Sequence, residues 1–243
     1  MIVWLDQGNS RLKWALEDDV GIVSFGVEPN SSLEGLGVVL VSEKYDISEV
    51  WLCCVAGDLR VKQLRALVLA SSGLELTVVR TQPRMAGLTF TYSPVESLGV
   101  DRYLQCVGAH SVGVGVIVLS FGTAITLDVV SPAGRHLGGH IVPGLRALCD
   151  VLHAKTANLM AVPDLLVSDV FLGESTESCL NLGLVAMLGS YLRGIVARFP
   201  MYRVVVCGGD AGVLVGLIDV ECEMIDNLAI EGLRIVRENL VAG

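Results

Sequence analysis

The sequence has few basic residues, and they do not cluster. Lysine and arginine together number 17 against 26 aspartates and glutamates, which gives the 243-residue chain a formal net charge of −9. Because binding to a nucleic-acid backbone depends on clustered lysine and arginine, this composition argues against a nucleic-acid partner. An anionic ligand would have to be bound by local groups.

Membrane and export signals are also missing. The most membrane-like stretch, 111–127, lacks charge but contains three glycines and several hydroxyl residues. It therefore predicts two buried strands around a turn rather than a spanning helix. At the N-terminus, Asp6 interrupts the apolar run and no basic leader precedes it, unlike a secretory signal. We expect a cytoplasmic protein without a membrane partner.

Paired metal and redox motifs are absent as well. The seven cysteines form no CxxC motif, and the four histidines do not show the spacing of metal ligands. We therefore expect reduced, buried thiols and histidines that are structural or exposed. The residues concerned are Cys53, Cys54, Cys106, Cys149, Cys179, Cys207, Cys222, His110, His136, His140 and His153.

What the chain does have is apolar residues, which make up 52% of it against 18% charged residues. A chain of this length and composition can bury a sizeable core and form either one large domain or two small ones. We predict two small domains.

The first half predicts a three-stranded meander followed by βαβ units. Short β-rich runs at 2–5, 12–16 and 21–27 are separated by turn signals. A helix is predicted over 33–42, a buried strand over 50–56 and an amphipathic helix over 58–73 that ends at Gly73.

The second half repeats this plan. Residues 116–130 predict strand, turn and strand, and 135–142 predict a third strand. A helix then starts at Pro143 and runs into "KTANL", and a buried strand that runs into glycines covers 203–212. When the halves are aligned, Asp6, Gly8, Asn9 and Ser10 fall opposite Ser120, Gly122, Thr123 and Ala124. We infer an internal duplication that gives two lobes, 1–114 and 115–243, with a cleft between them.

The stretch "DQGNS" (6–10) has a chemical interpretation in this context. A tight turn in which glycine lets the backbone approach closely points N–H groups and small hydroxyls at an anion such as a phosphate chain. The Asp6 carboxylate beside bound phosphates requires a Mg²⁺ ion or its waters between them. A single DxGN is more often a plain hairpin signal than a nucleotide site, and the second copy of the turn favours the nucleotide site.

Several motifs in order along the chain resemble the type III pantothenate kinases. They are "DQGNSRLKW", "YSPVESLGVDR", "FGTAITLDVV", "GGHIVPGLRAL" with "KTANL", "GESTESCLNLG" and "CGGDA". That family is similar to acetate and sugar kinases, heat-shock chaperone ATPases and actin. The resemblance implies an α/β fold of two duplicated ribonuclease H-like lobes, the actin-like ATPase fold, with a nucleotide cleft between them.

The resemblance also implies an activity, which is the ATP-dependent phosphorylation of pantothenate to 4'-phosphopantothenate, the first step of coenzyme A biosynthesis. It implies a homodimer that uses ATP, Mg²⁺ and a monovalent cation, K⁺ or NH₄⁺. The catalytic base matches Asp101, and Asp6 matches the Mg²⁺ position, through water or phosphate. Nucleotide-binding positions match Asp6, Gln7, Gly8, Asn9, Ser10, Arg11, Leu12, Lys13 and Thr123. Pantothenate-binding positions match Tyr92, Gly99, Val100, Asp101, Arg102 and Thr176.

The chemistry of these residues agrees with the implied reaction. Phosphoryl transfer to an alcohol needs a carboxylate that orients the hydroxyl and accepts its proton, which suits Asp101. Arg102 can pair with the carboxylate of pantothenate. Structural interpretations remain open beside these: "GVDR" also fits a helix N-terminus, Tyr92 a strand aromatic, and Thr176 a helix cap.

Ser120 departs from the family pattern. The family has an aspartate at this position, which is associated with the activating monovalent cation. A hydroxyl coordinates K⁺ only as a neutral dipole, so Ser120 predicts weak cation activation. This leaves a second function open, a pantothenate-kinase-like nucleotide-binding regulator with weak or lost catalysis. The presence of Asp6, Asp101 and Arg102 favours the enzyme, and another small-molecule kinase on the same fold is the third alternative.

Overall fold

The computed structural model describes residues 1–42, 44–155 and 172–241. The chain divides into two compact units. The first unit contains Met1–Ala109 together with Leu228–Gly243, and the second contains His110–Asn227.

The first unit is built on a five-stranded mixed sheet. The strands β1 (Ile2–Gln7), β2 (Arg11–Glu17) and β3 (Ile22–Pro29) form the antiparallel meander that the sequence predicts. Helix α1 (Glu34–Val41) leads to β4 (Glu49–Cys54), which lies parallel to β1, and α2 (Asp58–Ser72) leads to β5 (Leu76–Val78). The strand order is β3-β2-β1-β4-β5. The predicted helix end at Gly73 is confirmed, because Gly73 caps α2 in the left-handed conformation.

Both faces of this sheet carry buried side chains, with Trp4 and Cys53 on one face and a large hydrophobic cluster on the other, the core face. Residues of alternating positions on the strands pack there against α1 and α2. The alternation places Val3, Leu5 and Gln7 of β1 on this core face and directs Asp6 to the opposite face. After a short hairpin of β6 (Arg84–Met85) and β7 (Leu88–Thr89), the first stretch of this unit closes with α3 (Val100–Ala109).

The second unit repeats the sheet of the first. It contains β8 (Val116–Phe121), β9 (Ala124–Val130), β10 (His136–Pro143), α4 (Leu145–Lys155), α5 (Thr176–Val196), β11 (Arg203–Cys207), α6 (Ala211–Leu214) and β12 (Glu223–Met224). The strand order β10-β9-β8-β11-β12 matches that of the first sheet strand for strand. This correspondence supports the duplication inferred from the two glycine turns.

The last helix, α7 (Leu228–Val241), belongs to the first unit rather than to the second. A Cβ atom on Gly108 of α3 would lie 2.7 Å from the carbonyl oxygen of Leu228, and one on Gly232 of α7 would collide with the carbonyl of Leu104. The two helices therefore pack backbone to backbone. The expected domain ranges of 1–114 and 115–243 differ from the observed units, because this contact joins residues that are far apart in the sequence.

Two other predictions need correction. Pro143 is the last residue of β10, and α4 begins at Leu145, so the proline ends a strand instead of opening the helix. The part of "KTANL" after Lys155 lies outside the described residues. All seven cysteines are free, as expected, but Cys179 is exposed and Cys222 is only partly buried.

The stretch 111–127 contains β8, a turn and the start of β9, as predicted. Helix α5 is instead the segment that meets the length and apolarity of a membrane span, with 21 residues. Its Leu184, Leu188 and Leu192 contribute to the core of the second unit. A core helix of a folded domain passes the same criterion, so α5 is weak evidence for a membrane.

Candidate functional site

The "DQGNS" stretch forms the turn between β1 and β2, which we call turn 1 (7–11). The backbone N–H of Gly8 donates to the carbonyl of Arg11 over 3.0 Å, and this closes the turn. Asn9, Ser10 and Arg11 are exposed there. The turn lies at the carboxyl end of β1, a strand that pairs on both sides, so its position is fixed by the sheet.

The side chains of the residues predicted to bind the nucleotide do not all lie on the same face of the sheet. Asp6 pairs with Lys13 in the β1–β2 register, and Gln7 pairs with Leu12. Leu12 and Gln7 are fully buried on the core face. The side chain of Leu12 therefore belongs to the hydrophobic core, and Asp6 and Lys13 share the other face.

Asp6 is a partly buried carboxylate among other ionisable groups. The pKa of its carboxyl is raised to about 6, chiefly by burial. Lys13 lowers that pKa, Asp101 raises it, and a hydrogen bond with Cys53 lowers it again. Burial, together with the nearby carboxylates of Asp6 and Asp101, raises the pKa of the Cys53 thiol. The structure thus brings Asp6, Lys13 and Asp101 into one electrostatic cluster inside the first unit.

This cluster has the chemistry of a divalent-cation site. Two carboxylates that oppose each other's ionisation are stabilised when a cation lies near them, and Mg²⁺ prefers carboxylate oxygens. The raised pKa of Asp6 shows that the ionised carboxylate is under-compensated by Lys13 alone. The residues present therefore fit Mg²⁺.

Asp101 and Arg102 lie in the first turn of α3, as the "GVDR" motif indicates. The Asp101 carboxylate accepts the backbone N–H of Arg102 over 2.8 Å, which fixes its side chain at the helix N-terminus. A Cβ atom on Gly99 would lie 2.6 Å from this carboxylate oxygen. Glycine at 99 therefore leaves room for the Asp101 carboxylate, whereas Val100 packs in the core.

Tyr92 and Arg102 come together although ten residues separate them. The Arg102 side chain is only 5% exposed, and its Nη1 donates to the Tyr92 hydroxyl over 3.4 Å. The guanidinium carbon also lies 6.0 Å from the centre of the Tyr92 ring. A buried guanidinium held beside a phenol is suited to binding a carboxylate of a ligand.

The second unit has the corresponding turn between β8 and β9, which we call turn 2 (121–124). The N–H of Gly122 donates to the carbonyl of Ala124 over 3.1 Å, and the exposed Thr123 sits at its tip. Two further segments support turn 2 through their backbones. The N–H of Gly144 donates to the Thr123 carbonyl over 3.1 Å, and the backbone N–H of Asp210 donates to the Phe121 carbonyl over 3.0 Å.

Glycines make this support possible. A Cβ atom on Gly144 would lie 2.7 Å from the Thr123 oxygen, and one on Gly208 would lie 2.7 Å from the Phe121 nitrogen. Gly208 also has a φ of +99°. Residue-by-residue assignment of the site missed Gly144 and Asp210, although the "PG" and "CGGD" turn signals mark both places.

Ser120, the residue opposite Asp6 in the duplication, lies on the face of β8 away from the core. It pairs with Thr126 on β9 and with Cys207 on β11. Asp128 is two residues further along β9, on the same face, and is buried with its carboxylate 2.8 Å from Nε2 of the buried His136. The one carboxylate close in register to Ser120 is thus already bound to His136. The side-chain oxygens of Ser120 and of its register partner Thr126 are neutral hydroxyls, which suit K⁺ less well than a carboxylate.

Thr176 lies in the second unit as the first residue of α5, and it is exposed. The helix cap is Ser175 rather than Thr176: its side chain accepts the N–H of Ser178, and the two serines form a capping box. Thr176 therefore does not serve as the cap.

Comparisons with known proteins indicate one family. A family model for type III pantothenate kinases matches residues 2–198. The curated type III pantothenate kinase of Ectopseudomonas mendocina is 30% identical over 244 residues, which cover 97% of this chain and 98% of that protein.

Solved structures resemble the chain at lower identity. A Campylobacter jejuni protein described as a Baf family transcriptional activator superposes with a TM-score of 0.60 at 16% identity, and covers 98% of this chain and 99% of its own. A glucokinase from an Antarctic psychrotroph superposes with a TM-score of 0.52 at 12% identity and 98% coverage of both chains. These likenesses concern the fold, and they confirm the predicted actin-like ATPase fold of two ribonuclease H-like lobes.

Proposed function

The chain belongs to the type III pantothenate kinase family, whose reaction is the ATP-dependent phosphorylation of pantothenate in coenzyme A biosynthesis. From this premise we propose a role in the reaction for each residue of the candidate site. The observation that carries the proposal is the cluster of Asp6, Lys13 and Asp101 on one face of the first sheet. Phosphoryl transfer needs a carboxylate that accepts the proton of the acceptor hydroxyl and a metal site for the phosphoryl donor, and this cluster offers both.

Asp101 is the proposed catalytic base. Its carboxylate is held at the N-terminus of α3 by the Arg102 N–H. It orients the attacking hydroxyl of pantothenate and accepts the hydroxyl proton as the phosphoryl group is transferred. The positive end of the helix dipole stabilises the ionised form that this role requires.

Arg102 and Tyr92 are the proposed anchor for the carboxylate of pantothenate. A guanidinium that is 5% exposed makes strong, charge-assisted hydrogen bonds because little water competes for it. Gly99 leaves space for the Asp101 carboxylate, and Val100 fixes the start of α3 in the core. Thr176 is the remaining pantothenate-binding residue that the family resemblance proposes.

Turn 1 and turn 2 are each proposed to bind phosphate groups of ATP. Turn 1 contributes Gly8, Asn9, Ser10 and Arg11, and turn 2 contributes Thr123. When Mg²⁺ is bound, it neutralises the phosphate charge beside Asp6, and Lys13 adds a positive charge on the same face. Because the hydroxyls of Ser120 and Thr126 suit K⁺ less well than a carboxylate, we propose that monovalent cations activate this enzyme weakly.

The protein is further proposed to be a cytoplasmic homodimer that binds neither nucleic acid nor membranes. The family resemblance supports the homodimer, and the net charge of −9 argues against a nucleic-acid partner. Light scattering of the purified protein measures the mass directly, and a monomer at micromolar concentration would contradict the homodimer.

An ATP-consumption assay tests the function. With Mg²⁺ present, ADP release should depend on added pantothenate, and the phosphorylated product should form in equal amount. Release of ADP that does not change with pantothenate would contradict the proposal. Nucleotide binding without any turnover would favour the nucleotide-binding regulator that Ser120 left open.

A further inference from the structure

Gln7 is the second residue of "DQGNS", but its side chain points into the protein. It is fully buried on the core face of β1, where an amide group must find hydrogen-bond partners. Its Nε2 donates to the Gly8 carbonyl over 2.6 Å and to Oδ1 of Asn30 over 2.7 Å. Its Oε1 accepts from Nε of Arg60 over 2.8 Å. Both ends of the Gln7 amide are therefore occupied by the protein itself.

Asn30, which follows β3, continues this network onto turn 1. Its Nδ2 donates to the Asn9 carbonyl over 2.7 Å and to the Gly8 carbonyl over 3.3 Å. Its backbone N–H donates to the Ser10 carbonyl over 3.2 Å. We call Gln7, Asn30 and Arg60 the amide brace, because together they bind three successive carbonyls of the turn.

The direction of these carbonyls determines where the turn presents its N–H groups. In a planar trans peptide the C=O and the following N–H point in opposite directions. With the Gly8 and Asn9 carbonyls turned toward the amide brace, the N–H groups of Asn9 and Ser10 point away from it. Consecutive N–H groups on one side of a turn form the kind of concavity that binds phosphate oxygens.

Arg60 determines the orientation of the Gln7 amide. A guanidinium only donates hydrogen bonds, so the Gln7 atom that faces Arg60 must be the oxygen. The Gln7 nitrogen then faces the Gly8 carbonyl and the Asn30 oxygen, and the Asn30 nitrogen in turn faces the turn carbonyls. Without Arg60, the Gln7 amide could rotate and place its oxygen against the carbonyls of turn 1.

We propose that Asn30 and Arg60 are positioning residues for the phosphoryl donor. Asn30 binds the carbonyls of turn 1 directly and Arg60 acts through Gln7, and together they hold the N–H groups of turn 1 toward the phosphates of ATP. This inference rests on the proposed function, in which turn 1 binds those phosphates. It changes the role of Gln7, whose side chain braces the turn instead of contacting the nucleotide.

The test compares Asn30→Ala and Arg60→Met with Arg65→Met, a matched control that removes an exposed arginine from the same helix. Steady-state kinetics give kcat and the KM values for ATP and for pantothenate. Calorimetry gives the Kd of Mg²⁺ with a non-hydrolysable ATP analogue. We expect a roughly 10-fold weaker nucleotide affinity in both brace variants, as for the loss of one hydrogen bond to the turn, and a pantothenate KM within about twofold of wild type.

Two more variants separate positioning from simple destabilisation. Arg60→Met removes the buried Nη2, which has no hydrogen-bond partner among the described residues, but it also leaves the buried Gln7 Oε1 without its donor, so a modest loss of thermal stability is expected and the Kd values are compared well below the melting temperature. Arg60→Lys, which retains a donor for Gln7, should recover part of the ATP affinity. The double variant Asn30→Ala with Arg60→Met should bind ATP less than 100-fold more weakly than wild type, because both residues hydrogen-bond the Gln7 amide and belong to one network.

The inference is overturned if both brace variants bind the analogue within twofold of wild type, or if the KM for pantothenate rises as much as that for ATP. It is also overturned if only the melting temperature changes. A wild-type protein that binds the analogue but shows no turnover with pantothenate would contradict the proposed function alone, since the Kd values would still test the amide brace.

Discussion

Turn 1 and turn 2 occupy the same place in two copies of one sheet, yet they are supported in different ways. Turn 1 is held by side chains, with Gln7 and Asn30 binding its carbonyls. Turn 2 is held by backbone, because Gly144 and Gly208 let two other segments approach it directly. The topology that the two sheets share determines where each turn lies, but different groups stabilise the turn in each unit.

The two units also differ in charge at these turns. Asp6, Lys13 and Asp101 form an ionisable cluster in the first unit. In the second unit Ser120 and Thr123 are neutral, and the Asp128 carboxylate is bound to His136. Acid–base chemistry and the metal site are therefore expected from the first unit, and neutral phosphate donors from the second.

Among the changes that test this difference between the two units, removal of the Asp101 carboxylate should have the largest effect on turnover. Asp101→Asn keeps the size of the side chain but removes the proton acceptor, so kcat should fall about 10²-fold while the Kd for ATP stays near wild type. Asp150→Asn, an exposed change on α4, is the matched control from the second unit. Unchanged turnover in Asp101→Asn would show that the base lies elsewhere.

The glycine support of turn 2 predicts a difference in stability between two adjacent positions. Gly208→Ala places a Cβ against the Phe121 backbone at a positive φ, and should lower the free energy of unfolding by about 3 kcal/mol. Gly209→Ala meets open space, and Gly8→Ala in turn 1 meets only the Arg11 oxygen at 3.4 Å. Urea denaturation of the three variants measures the effect, and similar midpoints for Gly208→Ala and Gly209→Ala would refute the backbone-support explanation.

The charge of Asp6 predicts a pH dependence that Ser120 should not share. The folded-state pKa of about 6 lies above the ordinary value of 3.8, so ionisation of Asp6 opposes folding. This penalty is absent below pH 3.8, grows as the pH rises to about 6, and stays constant above it. Asp6→Asn should therefore stabilise the Mg²⁺-free protein by about 3 kcal/mol at pH 8 and leave it unchanged at pH 3.5.

Denaturation curves at both pH values check this expectation, with Ser120→Ala as the control from the second unit. Mg²⁺ should stabilise wild type at pH 8 but not Asp6→Asn, because the variant lacks the carboxylate. A destabilised Asp6→Asn protein at pH 8 would mean that Lys13 more than compensates the buried charge.

The smallest expected effect concerns monovalent cations at turn 2. Wild-type turnover should change by less than about twofold on addition of K⁺ or NH₄⁺, because a hydroxyl offers only a dipole. Ser120→Asp should raise turnover a few-fold and make it depend on K⁺, which would make the second turn resemble the first. Titration of K⁺ against turnover decides the matter: strong activation of wild type together with a slower Ser120→Asp variant would contradict this explanation.

Much of the fold follows from local patterns. The alternation of apolar residues in β1, β2, β8 and β9 and the glycine turns between them suffice to predict two related sheets. Other features depend on distant contacts, such as the packing of α7 on α3 through Gly108 and Gly232. Pro143 shows the same limit, because a proline is compatible with a helix start and with a strand end, and pairing with Ala124 on β9 decides between them.

The candidate site also combines features that follow from local sequence patterns with features that depend on distant contacts. The types of residue in "DQGNS" and "GVDR" were enough to predict a tight turn and a carboxylate at a helix start, because turn and cap chemistry is local. Only the tertiary structure revealed that Gln7 points inward to Asn30 and Arg60, and that burial beside Asp101 raises the pKa of Asp6. The sequence determined which groups are available. The tertiary structure decided which of them meet, because a side chain's partners and its exposure to water depend on residues brought together from distant parts of the chain.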